Sequence, residues 1–180
     1  MAQDLIEIFE EKYCELYSLA FLLTGNADRS VEAFNRALDF DEENPSFGKF
    51  MDSWARKLII AEALGTIRTE LRASRQRTAR MAEEEVPTDA KWKRRPDISR
   101  EEFEEAVIAI DAFPRCAMVL TIFEGMSIQA ASVLLNEDRA LTLKAQRTGI
   151  VELTRNLAGD SSRNPYREAP RNPVPVLSLG

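Results

Sequence analysis

Residues 114–157 read PRCAMVLTIFEGMSIQAASVLLNEDRALTLKAQRTGIVELTRNL. Pro114 suits the first turn of a helix, where its missing N–H costs nothing. Cys116, Val119, Leu120 and Phe123 follow at helical spacing, and Gly125 is placed to end that helix. Ser127 is positioned to cap a second helix, Ile128 to Leu135, with Ile128, Ala131, Leu134 and Leu135 on one side. Asn136-Glu137-Asp138 has turn chemistry, and Asp138 can cap a last helix from Arg139 to Leu157. Leu143, Ile150, Leu153 and Leu157 form its apolar face, and Gly159 is placed to stop it. Two helices joined by so short a turn have the spacing of the helix-turn-helix, whose second helix lies in a DNA major groove. Helical hairpins with no DNA role share this grammar.

Upstream, Leu5, Ile8, Phe9, Leu16, Leu19, Ala20 and Leu23 recur at helical spacing over residues 3–23, and Thr24-Gly25-Asn26 stops the run. A second helix is expected over Asp28 to Phe40 with Val31, Phe34, Ala37 and Leu38 inward. Asp41-Glu42-Glu43-Asn44-Pro45 reads as an exposed loop. A third helix is expected from Ser46 to Arg80, burying Phe47, Phe50, Met51, Trp54, Leu58, Ala61 and Leu64, with a loosening at Gly65. Beyond Leu71 its apolar face disappears while Arg72, Arg75, Arg77 and Arg80 continue, which predicts a solvated, fraying end. Residues 81–98 lack periodicity and read as a linker. Ser99 and Glu102 form a capping box that opens a helix to about Phe113, with Phe103, Val107 and Ile110 inward. The tail from residue 159 carries Pro165, Pro170, Pro173 and Pro175 and reads as disordered or extended. No strand alternation stands out. The expected fold is all-α: helical domains at 1–80 and 99–158, the second containing the helix-turn-helix, joined by a flexible linker.

Composition narrows function. Of 180 residues, 44% are hydrophobic, enough for a packed core. No apolar run approaches a membrane span, and the acidic start is unlike a secretory signal, so the expected compartment is the cytoplasm. Cys14 and Cys116 alone make neither a disulfide framework nor a zinc cluster. Histidine is absent, which removes serine–histidine and cysteine–histidine catalysis and imidazole metal sites. No nucleophile and base pair can be named, so the reading is non-enzymatic, with no cofactor and no metal. The net charge of −6 is uneven: residues 1–50 hold 4 basic and 11 acidic side chains, residues 51–100 hold 12 and 8, and residues 101–180 hold 8 and 11. A basic stretch on an acidic chain fits one nucleic-acid surface beside a protein surface.

These pieces together resemble a bacterial extracytoplasmic-function sigma factor over about residues 5–158. Phe113-Pro114-Arg115, the apolar helix, Glu124-Gly125-Met126-Ser127 and the two following helices are similar to the family's promoter −35 reading domain. Tyr13 through Leu23-Thr24-Gly25-Asn26 looks like the opening of its core-binding domain, and Phe50-Met51, Trp54-Ala55-Arg56 and Leu58 look like its −10 helix. The resemblance implies core RNA polymerase and promoter DNA as partners, with an anti-sigma factor as a third. There are departures. Asn26 to Phe34 is several residues shorter than the family pattern. Lys57 and Ala61 stand where the family favours asparagine and aspartate. Ala130 and Asn136 replace a glutamate and a glycine. Thr142-Leu143-Lys144 is similar to the family's threonine-valine-lysine, but Gln146 and Arg147 follow in place of further arginines.

The candidate groove readers are therefore Thr142, Lys144, Gln146 and Arg147. Arg56, Lys57, Arg68, Arg72 and Arg75 could follow the −10 element, or form an ordinary solvated basic face. Trp54 suits core packing better than base stacking. Trp92, between Lys91 and Lys93, suits stacking on single strands better, or is plain linker. From Asp138 to Leu157 the net charge is only +2, so DNA binding by this helix alone is expected to be weak. The apolar alternation of residues 173–179 could dock on a partner, or be disordered. The alternative reading is a protein-interaction scaffold: Ala20 to Gly25, Phe34, Ala37-Leu38 and Pro45 resemble one tetratricopeptide unit, with no second copy.

Overall fold

The computed structural model describes residues 9–38, 51–81 and 98–158, and every regular element there is helical. The expected loop at 41–45, the linker at 82–97 with Trp92, and the tail from Gly159 lie outside the described residues, as do Leu5, Ile8, Phe47 and Phe50. α1 (Tyr13–Thr24) follows a short helical stretch at residues 9–11 and ends on Gly25 at φ +66°. α2 spans Ala27–Leu38 and α3 Met51–Thr66. α4 spans Arg68–Arg80, α5 Arg100–Ile108 and α6 Ala112–Met118. α6 runs on into one π-helical turn, Val119–Phe123. α7 (Ile128–Leu135) and α8 (Arg139–Leu157) complete the order.

The terminal signals read from sequence are in place. Ser99 and Glu102 form a reciprocal capping box, Ser127 accepts from Ala130 N–H and Asp138 from Leu141 N–H. Asn136 closes α7 in the left-handed region at φ 53°, which an asparagine tolerates. α1, α2 and α3 pack together, while α6 packs on α8 and α4. One buried cluster takes Leu16, Leu23, Phe34, Ile59 and Ile67 from one side of residues 82–97 and Val107, Ile110, Cys116, Leu120 and Ala131 from the other. A second joins Phe113 and Ala117 of α6 to Ala145 of α8.

Several expectations need correction. The third helix is two: the chain breaks at Ile67, not at Gly65. A side chain at 65 would meet only open space, whereas the break turns Ile67 fully into the core. α3 buries Ala55, Ile59, Ile60 and Ala63, because α1 and α2 flank it; Ala61 is exposed and Trp54 only half-buried. On α2 the inner face is Ser30, Ala33, Phe34 and Ala37, leaving Val31 and Leu38 outside. The helix from Ser99 ends at Ile108, and Asp111 caps a new one, so Phe113 belongs to α6. The π turn places Glu124 N–H on Val119 C=O and shifts Phe123 outward to 40% exposure. On α7 Leu134 is also exposed, and Ala131 and Ser132 take the inner positions.

The last turns of α4 are not a solvated end. Ser74 and Thr78 are fully buried there. The Thr78 hydroxyl donates to Ser74 C=O, and Ser74 Oγ accepts from Phe113 N–H at 2.8 Å. Small hydroxyl side chains with satisfied hydrogen bonds let α6 approach without an apolar stripe. α8 follows the same rule. Its buried residues include Thr142, Ala145 and Gly149, while Leu143, Ile150, Leu153 and Leu157 are only half-buried.

Candidate nucleic-acid interface

The four candidate readers of α8 meet different fates. Thr142 is fully buried and its hydroxyl donates to Asp138 C=O at 2.9 Å, so it is a core residue with no surface to offer a groove. Lys144 Nζ donates to Met81 C=O at 2.6 Å and to Ala79 C=O at 3.4 Å. These are carbonyls at the end of α4, where a cation is favoured by the helix dipole. Gln146 Nε2 donates to Thr121 Oγ1 at 2.9 Å. Arg147 is exposed.

The upstream candidates divide too. Arg56 donates twice to Glu124, from Nε at 3.0 Å and Nη2 at 2.9 Å, and once to Glu15 at 3.3 Å. The hydrogen bonds it donates to Glu124 hold its guanidinium above the ordinary value. Arg75 pairs with Glu137, in the turn between α7 and α8. Lys57, Arg68 and Arg72 are exposed, and none has an ion-pair partner recorded among the described residues. Arg68 and Arg72 line a groove of about 430 Å³ between α3–α4 and α6–α7, floored by Leu64, Leu71, Phe113 and Leu135.

Two side chains that organise this face carried no signal of their role in sequence. Arg77 grips Asp111 with both arms, Nε to Oδ2 at 2.9 Å and Nη2 to Oδ1 at 2.7 Å. Burial alone would raise Asp111, but the hydrogen bonds from Arg77 and Ser74 outweigh it and hold the carboxyl below its ordinary value. Arg115 is buried with four backbone acceptors: Ile108 and Ile110 C=O at 3.1 and 2.8 Å, Leu23 and Thr24 C=O at 3.4 and 3.1 Å. Burial pulls its guanidinium below the ordinary value.

No group of three metal-ligating side chains occurs among the described residues, and no helix there is long and apolar enough to cross a membrane. Apolar side chains also reach the surface near the hairpin: Val133 is 69% exposed, with Ile122 and Phe123 across the 124–127 turn. No protein-family model matches the chain, and no curated protein or solved structure matches it either.

Proposed function

We propose that this chain is a sigma-factor-like transcription initiation protein, in which an N-terminal helical region meets core RNA polymerase and the 99–158 region serves as a helix-turn-helix that meets promoter DNA. The observation that carries the reading is the α7–α8 hairpin. Ser127 caps one helix, Asn136 ends it in the left-handed region, and Asp138 caps the next within two residues. Arg68 and Arg72 of α4 add exposed cations beside the −10-like helix α3, and Arg147 adds one on α8. The order of the matching sequence pieces supports the family over a generic hairpin. DNA affinity in the free chain is low on this reading, because Thr142 is buried and Lys144 and Gln146 have partners inside the molecule.

The test is a pull-down of core RNA polymerase with the full chain, followed by a promoter mobility assay with and without the polymerase. Capture of the polymerase with a DNA shift only in its presence is the expected result. If the chain captures no polymerase and shifts no promoter, the reading fails.

A non-enzymatic interaction scaffold is the second reading. The exposure of Val133 and Leu134 on the outer side of α7 favours it, because these apolar groups suit a protein partner better than a phosphate backbone. The single tetratricopeptide-like match covers α1 and α2 only. A chain that captures a protein partner with Val133 and Leu134 intact, loses it in Val133→Asp, and never binds DNA would favour this reading.

A further inference from the structure

Apart from the partly buried Leu71, which packs against the cluster of Phe113, Ala117 and Ala145, the helix α4 is attached to the C-terminal helices by polar contacts. Its fully buried side chains are Ser74 and Thr78, both hydroxyls. Around them, Arg75 holds Glu137 and Arg77 holds Asp111, and the arginine side chains in these pairs are 42% and 43% exposed. From the other side, Lys144 of α8 caps the end of α4 on Met81 and Ala79 C=O. The arginines' carboxylate partners Glu137 and Asp111 are only 11% and 14% exposed, so each pair opens to solvent, and to screening by salt, from its arginine end. Arg68 and Arg72 lie exposed on the same helix.

We propose that α4 is a latch released by nucleic-acid phosphate. In the free chain Arg75, Arg77 and Lys144 are occupied by Glu137, Asp111 and the α4 carbonyls. A polyanion first meets Arg68 and Arg72, then competes for the three latch cations. Lys144 cannot cap α4 and reach a phosphate in a groove at once, so the two states exclude each other. Release undocks α4 from α6 and α8 and frees the side of α8 that carries Lys144 and Arg147. The proposal rests on the reading that this chain meets DNA. It adds that free-chain affinity is lowered by the fraction of molecules that are latched.

The experiment uses the full chain with Cys14→Ser and a donor–acceptor label pair at Gln76→Cys and Val133→Cys, both exposed positions; Cys116 is buried and takes no label. A short DNA duplex at low salt is expected to lengthen the label distance, as is high salt alone. The pair Glu137→Gln with Asp111→Asn is expected to lie open without DNA and to bind the duplex several-fold more tightly than a charge-matched control, Glu101→Gln with Glu105→Gln. Asparagine at 111 retains the helix cap, and Glu137→Gln alone provides a second, milder opening. A label distance that DNA and salt both leave unchanged overturns the latch. So does a latch variant that binds no tighter than its control, or no binding even when open. Failure to capture polymerase while DNA still separates the labels removes the initiation reading and leaves the latch standing.

Discussion

Arg115 lies directly under Gly25: a Cβ at position 25 would sit 2.8 Å from Cζ, Nη1 and Nη2 of that guanidinium. The two residues are far apart in the chain, yet Arg115 closes the end of α1 through Leu23 and Thr24 C=O and the end of α5 through Ile108 and Ile110 C=O. Its four acceptors are backbone carbonyls, and its Nε has no hydrogen-bond partner among the described residues. Such a guanidinium stabilises two helix C-termini at once, at the cost of its own desolvation.

Gly25→Ala is therefore expected to act twice. The residue stands at φ +66°, where a side chain costs about 1–2 kcal/mol. The new methyl also displaces a guanidinium that four carbonyls hold in place. In an Arg115→Met background only the backbone term remains. A double-mutant cycle by urea unfolding should give a coupling of about 1 kcal/mol or more, and additive costs would remove the link between the two residues. Arg115→Met alone should weaken the whole chain in one transition, since it unties helices from both sides of residues 82–97.

What the sequence made legible was local. Ser99 with Glu102, Ser127 and Asp138 each satisfy N–H groups within three residues, so a cap can be read without knowing the rest of the fold. Interfaces built from small residues could not be read that way. Ser74, Thr78, Thr142 and Gly149 are buried because another helix comes close, and apolar periodicity gives them no weight. The break at Ile67 was missed for a related reason: Gly65 has the weaker helix propensity, but the core needs Ile67. Arg77 and Asp111 lie 34 residues apart, and nothing local pairs them. For the candidate interface, type and spacing identified Arg68, Arg72 and Arg147 as surface cations. Neither could tell that Lys144 would be used inside the chain.

The two helical glycines without positive φ should respond oppositely to alanine. At Gly149 a Cβ would lie 2.7 Å from Pro114 C=O and 3.0 Å from Met118 Cβ. Neither can retreat easily, because α6 is packed on α8 there, so Gly149→Ala should cost about 1–3 kcal/mol. At Gly65 nothing lies within 4 Å, and Gly65→Ala should add up to about 1 kcal/mol from helix propensity. Urea midpoints of the two variants check the signs. A neutral Gly149→Ala would mean that α6 and α8 pack less closely than described.

Asp111 sets an acid limit on the α4–α6 contact. Its carboxyl is held below its ordinary value in the folded chain, so its contribution is fully present above the unfolded pKa of about 3.9. That contribution is lost as pH falls through the folded value. Asp111→Asn, which keeps the cap, should flatten the acid side of the stability profile relative to the parent chain. Urea unfolding across the acid range measures this, and parallel profiles would count against the Arg77 pairing.

The cysteines should separate by reactivity and by pH. Cys14 is exposed, while Cys116 is fully buried with its thiol donating to Leu23 C=O at 3.4 Å. Burial pushes the Cys116 thiol from 9.0 up to about 12. A native chain should therefore give one equivalent of thiol to an aromatic disulfide reagent at neutral pH, and a second only on unfolding. The linkage follows from the raised value. The unfolded thiol ionises first, so stability is fully present below about pH 9, declines above it by up to about 1.4 kcal/mol per pH unit, and levels off near the folded value. Cys116→Ala removes this alkaline slope while leaving a small packing loss at neutral pH, and Cys14→Ser leaves the slope intact. Equal alkaline slopes in the parent and Cys116→Ala would show that the thiol is not buried as described.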